Sequence, residues 1–247
     1  MNKIKGLFIL EYKKLMRTPI ILGFGIFAPI FFLVVQTEIS PKEILIGGNT
    51  IASIDYSFPM FSFLSIVVIA IGNVGVGISY NRLIHFFKRL KLAGVKPFEF
   101  ITANFGVQFV VALFTILLLF GISIGKYKME VQGKNILLYV LMLLVSFMMC
   151  YFIGITIANV TKDAKSSQSM SMLVYFVIVF LGGVTYPFEM MPNILQKVSN
   201  LIPSTHAVKL LQTVWSGGDI FEGNHLIIVL ISTIIFAILS MRLFKYD

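Results

Sequence analysis

The chain has 247 residues, of which 57% are hydrophobic and 13% charged, with a formal net charge of +9. Soluble domains carry about 25% charged residues, so an ordinary water-soluble fold is excluded. Six apolar stretches account for the excess: Pro19–Val35, Phe58–Tyr80, Ile101–Ile124, Ile136–Val160, Met170–Tyr186 and Leu226–Leu243, in which the one charged residue is Arg242, next to the end of the last.

Each stretch approaches the ~20 residues that cross the ~30 Å hydrocarbon core of a bilayer. Backbone polar groups inside lipid must be satisfied within their own segment, so each is predicted to be a helix. The predicted fold class is an all-α integral membrane protein, a single domain over residues 1–247 with six transmembrane helices.

Residues 1–17 precede the first span. Ile4, Leu7, Phe8, Tyr12 and Leu15 recur at spacings of three and four, and Lys3, Lys5, Lys13, Lys14 and Arg17 supply a polar part. This pattern predicts an amphipathic helix lying in the membrane interface. The simpler alternative is a basic flank that only sets orientation. The basic-then-apolar start is similar to a signal peptide, but no small-residue cleavage site follows and Pro19 and Pro29 interrupt the run, so it is expected to be retained.

The connection Gln36–Ser57, with Pro41, Gly47 and Gly48, reads as a polar loop. In the segment 81–99, Leu83, Phe86, Phe87, Leu90 and Leu92 mix with Arg82, Lys88, Arg89 and Lys91 before Gly94 and Pro97. A short surface helix is expected there, stopped at the glycine, with one edge open to a protein partner. Gly125–Asn135 joins spans three and four, and the polar turn Thr161–Ser169 joins spans four and five. The segment 187–223 is no ordinary loop: Met190, Met191, Ile194, Leu195, Val198 and Leu201 have helical spacing. Pro203-Ser204-Thr205 then restarts a second amphipathic piece with Val208, Leu210, Leu211, Val214 and Trp215. Two short helices broken at a proline predict a re-entrant or interfacial hairpin, with Trp215 at headgroup depth.

Fourteen of the twenty basic residues fall at one set of span ends with four acids, and the other set holds six with seven acids. The basic set marks the cytoplasmic side, which places both termini inside. The net charge then follows from orientation and contact with anionic lipid, and no nucleic-acid partner is needed.

Motifs of soluble chemistry fit poorly. Gly121-Ile122-Ser123-Ile124-Gly125 has the form of a nucleophile elbow, which requires a strand–turn–helix context, whereas here it ends a span. With Lys126 and Tyr127 it is one residue short of a P-loop and lacks the final Ser or Thr. No cofactor and no metal site is expected in this chain, and any ATP would be hydrolysed elsewhere. Cys150, the single cysteine, reads as a buried apolar residue. Asn73, Asn104, Gln108 and Asn159 are the main intramembrane amides, with roles open between tying helices together and touching cargo. The spans carry no carboxylate for an ion relay. Gly72, Gly75 and Gly77, and Gly182-Gly183, permit either close packing or a moving seam.

Three stretches together resemble the membrane subunit of type-2 ABC exporters, the ABC-2 permease family, in its drug-resistance and peptide-export branches. They are ILEYKKLMRTP (Ile9–Pro19), FFKRLKLAGVKPFEFITAN (Phe86–Asn104) and GGVTYPFEMMPNILQKVSNLIPSTHAVKLLQ (Gly182–Gln212). Family members often carry an acid beside the arginine that opens the second stretch; this chain has Asn81-Arg82. The resemblance implies an elbow helix with Glu11, Lys14 and Arg17. It implies an ATPase-coupling segment with Arg82, Phe86, Phe87, Lys88, Arg89, Leu90, Lys91 and Gly94, aided by Lys162 and Asp163. It also implies an outer re-entrant segment with Tyr186, Pro187, Glu189, Pro192, Pro203 and His206. The implied partners are cytoplasmic ABC ATPase subunits holding ATP and Mg, a second permease subunit, membrane lipid, and amphipathic or hydrophobic cargo, in a bacterial cell membrane. Export of a peptide toxin or drug-like molecule is the expected function. Export of a lipid-linked glycan, or a non-transporting accessory or immunity role, are the alternatives.

Overall fold

A computed structural model describes residues 3–46, 49–131, 135–185, 188 and 191–244. Helix α1 (Lys3–Met16) turns at Thr18 into α2 (Pro19–Ile39), whose Pro19 occupies the first turn, where a missing N–H costs nothing. The second apolar stretch is built of α3 (Ser53–Val67), π-helical turns over Val68–Asn73, and α4 (Val74–Leu83). A short α5 (Phe86–Leu92) leads to α6 (Pro97–Gly125), then α7 (Ile136–Val160) and α8 (Ala164–Leu181). Two short helices, α9 (Asn193–Ser199) and α10 (Pro203–Trp215), precede the last span, α11 (His225–Leu243).

Six helical segments are long and apolar enough to cross a membrane, among the described residues. Their positions follow the sequence reading with three corrections. The 36–57 connection is not a plain loop: α2 runs on to Ile39, and β1 (Glu43–Ile46) pairs antiparallel with β2 (Asn49–Ala52). The Ser53 N–H donates to the Lys42 carbonyl at 2.9 Å and closes this hairpin onto α3, so the all-α expectation gains a two-stranded element. The fifth span begins at Ala164, well before Met170, because the Asp163 carboxylate accepts the Ser166 N–H at 2.8 Å and caps the helix. It ends at Leu181, where Gly182 and Gly183 break the helix, the latter at φ +75°.

The second span is the core of the bundle. In its most apolar stretch 78% of residues are buried, against 17% for α8 and 22% for α2 and α11, so those three face lipid or a partner. Span two packs on α2, α6, α7, α8 and α10. Its π turns carry the Ala70 carbonyl to the backbone of Gly154 on α7, where an added Cβ would stand 2.3 Å from the carbonyl oxygen. Gly75 meets Gly154 and Ser171 in the same way, whereas Gly72 and Gly77 meet nothing. Packing is therefore the role of Gly75 and Gly154, since helices in lipid associate through close backbone approach.

A Gly154→Ala chain should be destabilised by about 1–3 kcal/mol, the usual cost of overpacking against a contact that cannot give. Gly121→Ala, which meets nothing within 4 Å, should be neutral or slightly stabilising. Thermal unfolding of the detergent-solubilised variants reads both.

Candidate coupling site at the basic end

Leu7, Glu11 and Leu15 lie four residues apart on α1 and so form one stripe. All three are buried. The stripe faces α6, where Phe8 also packs against Gly106. Glu11 Oε2 accepts a hydrogen bond from Asn104 Nδ2 at 2.7 Å. The Tyr151 hydroxyl of α7 lies 3.0 Å from Asn104 Oδ1 and 2.9 Å from the Ile101 carbonyl oxygen. A carboxylate therefore does reach the interior of the bundle. It comes from α1 and not from a span.

Lys14 connects α1 to two further elements. Its Nζ donates to Asn81 Oδ1 near the end of α4 and sits 5.2 Å from the centroid of the Phe86 ring on α5. It also stands 3.6 Å from Glu11 Oε1. One ammonium thus touches α4 and α5 beside a carboxylate held on α6. Asn81 serves as the acceptor. Arg17 is exposed just beyond α1.

Helix α5 ends in a Schellman motif: Gly94, at φ +68°, donates to the Lys91 carbonyl and Val95 to the Leu90 carbonyl, both at 3.0 Å. Phe87 is fully buried, edge-on to Phe100 of α6 at 5.1 Å and to Phe244 after α11 at 5.5 Å. Leu90 is half-buried, while Lys88, Arg89, Lys91 and Leu92 are exposed, Leu92 at 90%. The helix is anchored by its aromatic side and presents a basic edge with one bare leucine.

Arg82 does not share that edge. Its guanidinium turns inward, donating to the Ala158 carbonyl at 2.9 Å and to Asn159 Oδ1 at 3.1 Å. Asn159 in turn donates to the Ser240 carbonyl of α11 at 3.0 Å. Arg82 therefore clamps α4 to the C-terminal end of α7, where a cation also complements the helix dipole. Lys162 and Asp163 are exposed at the same end of the bundle. The Ser166 N–H and hydroxyl hold the Asp163 carboxyl below its ordinary range, so this cap is fully formed at neutral pH and weakens as pH falls through that lowered value. Ser167 donates to the Gly75 carbonyl at 3.0 Å and ties α8 to α4.

At the opposite end, Pro192 and Pro203 open α9 and α10, as the helix restart predicted. Tyr186, Pro187 and Glu189 lie outside the described residues. Helix α10 packs on α3, α7 and α11. Trp215, expected at headgroup depth, is buried in the bundle, with ring centroids 4.6 Å from Phe58 and 5.0 Å from Tyr139. His206 is buried beside His225, their Nδ1 atoms 2.8 Å apart, and its Nε2 faces the Asn200 carbonyl at 2.9 Å. Ser123 is buried within unbroken α6, without the strained turn of a nucleophile elbow.

The sequence alone gave Asn104 only as an amide that ties helices or touches cargo and Asn81 only as the neighbour of Arg82, and left Tyr151 unassigned. The stripe spacing of Glu11 with Leu7 and Leu15 was the one available signal.

Six apolar helices, with a basic helix between spans two and three, define a multi-pass membrane protein. Residues 2–215 match the family described as ABC-2 type transporter. The chain belongs to that family. It is also 24% identical over 172 residues to ABC transporter G family member 20 of Dictyostelium discoideum, a match that takes in 70% of this chain and 23% of that relative.

Arg82→Ala should leave the Ala158 carbonyl and Asn159 short of donors and cost about 2 kcal/mol, the scale of a lost charge-assisted hydrogen bond. Arg89→Ala, on the exposed edge, should shift stability by no more than about 0.5 kcal/mol. Thermal melting of the two variants makes the comparison.

Proposed function

We propose that the chain is the membrane subunit of an ATP-driven exporter, with ATP and Mg held by a separate cytoplasmic ATPase. The observation that carries this reading is Lys14, which touches Asn81 and Phe86 beside a Glu11 bonded to α6. A force applied to α5 has a short physical route into α1 and the spans. The exposed edge of Lys88, Arg89, Lys91 and Leu92 is the proposed ATPase contact, with Lys162 and Asp163 beside it. Phe86, Phe87 and the Gly94 stop position that edge, and Arg82 stiffens its attachment.

The excess of basic residues at this end supports a cytoplasmic placement of both termini. Two copies, or one copy and a homologue, would pair in the membrane. The sparsely buried α8, with Met172, Leu173, Phe176 and Phe180 exposed, is the proposed seam with the partner subunit. An uncharged, Met- and Phe-rich passage suits amphipathic or hydrophobic cargo, and a peptide or drug-like molecule exported from a bacterial cell is our reading. The segment with Pro192, Pro203 and His206 would form the outer re-entrant cap.

Gentle affinity purification followed by mass spectrometry should recover a stoichiometric P-loop protein. If none appears even after cross-linking, an accessory role displaces the exporter. The double variant Arg89→Glu/Lys91→Glu should still insert in the membrane but lose at least about tenfold in ATPase recovery, since reversed charges at a docking edge repel their partner. Wild-type recovery and export by that variant would remove α5 from the mechanism.

A further inference from the structure

At the end of the bundle remote from the basic helix, three groups are joined in a row. His206 Nε2 lies 2.9 Å from the Asn200 carbonyl oxygen, and His206 Nδ1 lies 2.8 Å from Nδ1 of His225. A carbonyl oxygen only accepts, so the His206 proton is on Nε2 and its Nδ1 carries a lone pair. The contact between the rings is then a hydrogen bond in which His225 Nδ1–H donates to His206. Geometry thus fixes both tautomers of the uncharged pair. The row ties three elements together: Asn200 follows α9, His206 closes the first turn of α10, and His225 opens α11. His206 is buried, while His225 is half-buried and is the member open to the medium.

The surroundings oppose added positive charge. Both rings stand at the starts of helices, where the dipole disfavours an imidazolium. Lys209, three residues after His206, donates to Asn200 Oδ1 at 3.1 Å and places an ammonium on the same link. Among the other charged groups of the neighbouring elements, Asp55 lies in the first turn of α3, Lys197 in the last turn of α9, and α7 carries none. Asp219, between α10 and α11, accepts the Phe221 N–H at 3.0 Å. Lys165 of α8 and Arg242 of α11 belong to the far ends of those helices, and the Glu222 side chain lies outside the described residues.

Proton counting gives the pair two states. One added proton goes to His225 Nε2 and leaves the bond between the rings intact, against the charge of Lys209. A second must go to His206 Nδ1. Two N–H groups then oppose each other at the 2.8 Å contact, and the rings must part. We propose that His206 and His225 form a proton-operated latch, shut while the pair is uncharged and released when acid in the medium at this end charges both rings. Release loosens the start of α11 from α10 and from the Asn200 link. The shut latch binds fewer protons than the open one, so it holds at neutral pH and weakens as pH falls below about 6.5. Each freed imidazole gains a factor of about 30 at about pH 5, and the shut pair forgoes at least one such gain. The latch is independent of the cargo and of any ATPase.

Hydrogen–deuterium exchange of the purified full chain in nanodiscs tests this, at about pH 7.5 and about pH 5 and relative to the intrinsic exchange rate at each. Peptides within residues 200–228 should exchange at least about tenfold faster in acid, while those over the Gly154 contact keep their protection. In His206→Gln the amide turns to offer a donor or an acceptor to the remaining ring, so no two N–H groups oppose each other and the acid response should vanish. Should that variant fail to fold, His225→Gln must show the same flat response, with folding checked by thermal melting at neutral pH. Equal protection of the wild type at both pH values would overturn the latch. A response kept by both variants would assign the titration to Asp55 or Asp219, and loss of wild-type protection on adding EDTA at neutral pH would make the pair a metal site; either result removes the proposal.

Discussion

The Ala70 carbonyl resting on the backbone of Gly154 is the contact around which the bundle is built. Membrane helices gain little from burying apolar side chains against each other, because lipid is equally apolar, so close backbone packing must hold them. The π turns over Val68–Asn73 join α3, which packs chiefly on α2, α6 and α10, to α4, which packs chiefly on α7 and α8. A side chain at position 154 would push α7 away and disturb both arrangements.

Polar links are layered on this packing and concentrate at the basic end. One system runs Glu11–Asn104–Tyr151 and joins α1, α6 and α7; the other runs Arg82–Asn159–Ser240 and joins α4, α7 and α11. Both include α7, the first through Tyr151 and the second through Asn159, which makes that helix a common anchor. Such buried groups contribute little net stability when paired but cost several kcal/mol when one partner is lost, so they fix geometry more than they add energy. The opposite end is held differently, by the aromatic set of Phe58, Phe120, Tyr139 and Trp215 and by the paired imidazoles of His206 and His225. The exposed Glu38–Lys126 pair there adds little.

This asymmetry suits the proposed export mechanism. In that proposal force would enter where α1, α4 and α5 meet through Lys14, a junction of directed polar contacts, while the far end is closed by the packing of α10 on α3, α7 and α11.

The sequence by itself determined the solvent and much of the order along the chain. Six spans, their basic and acidic ends, the stop of α5 at Gly94 and the restart of α10 at Pro203 were all legible. Partition into lipid and the conformational preferences of Gly and Pro act within a few residues of the chain. The tertiary structure alone decided what those elements touch. Trp215 has the composition of an interfacial anchor yet lies among aromatic rings, because α10 packs into the bundle. Arg82 belongs to a basic run yet turns inward to Asn159. Glu11 enters the bundle because α1 presents its stripe to Asn104. These outcomes depend on the relative rotation and depth of helices far apart in sequence, set by the Gly154 contact and the π turns, which no local pattern encodes.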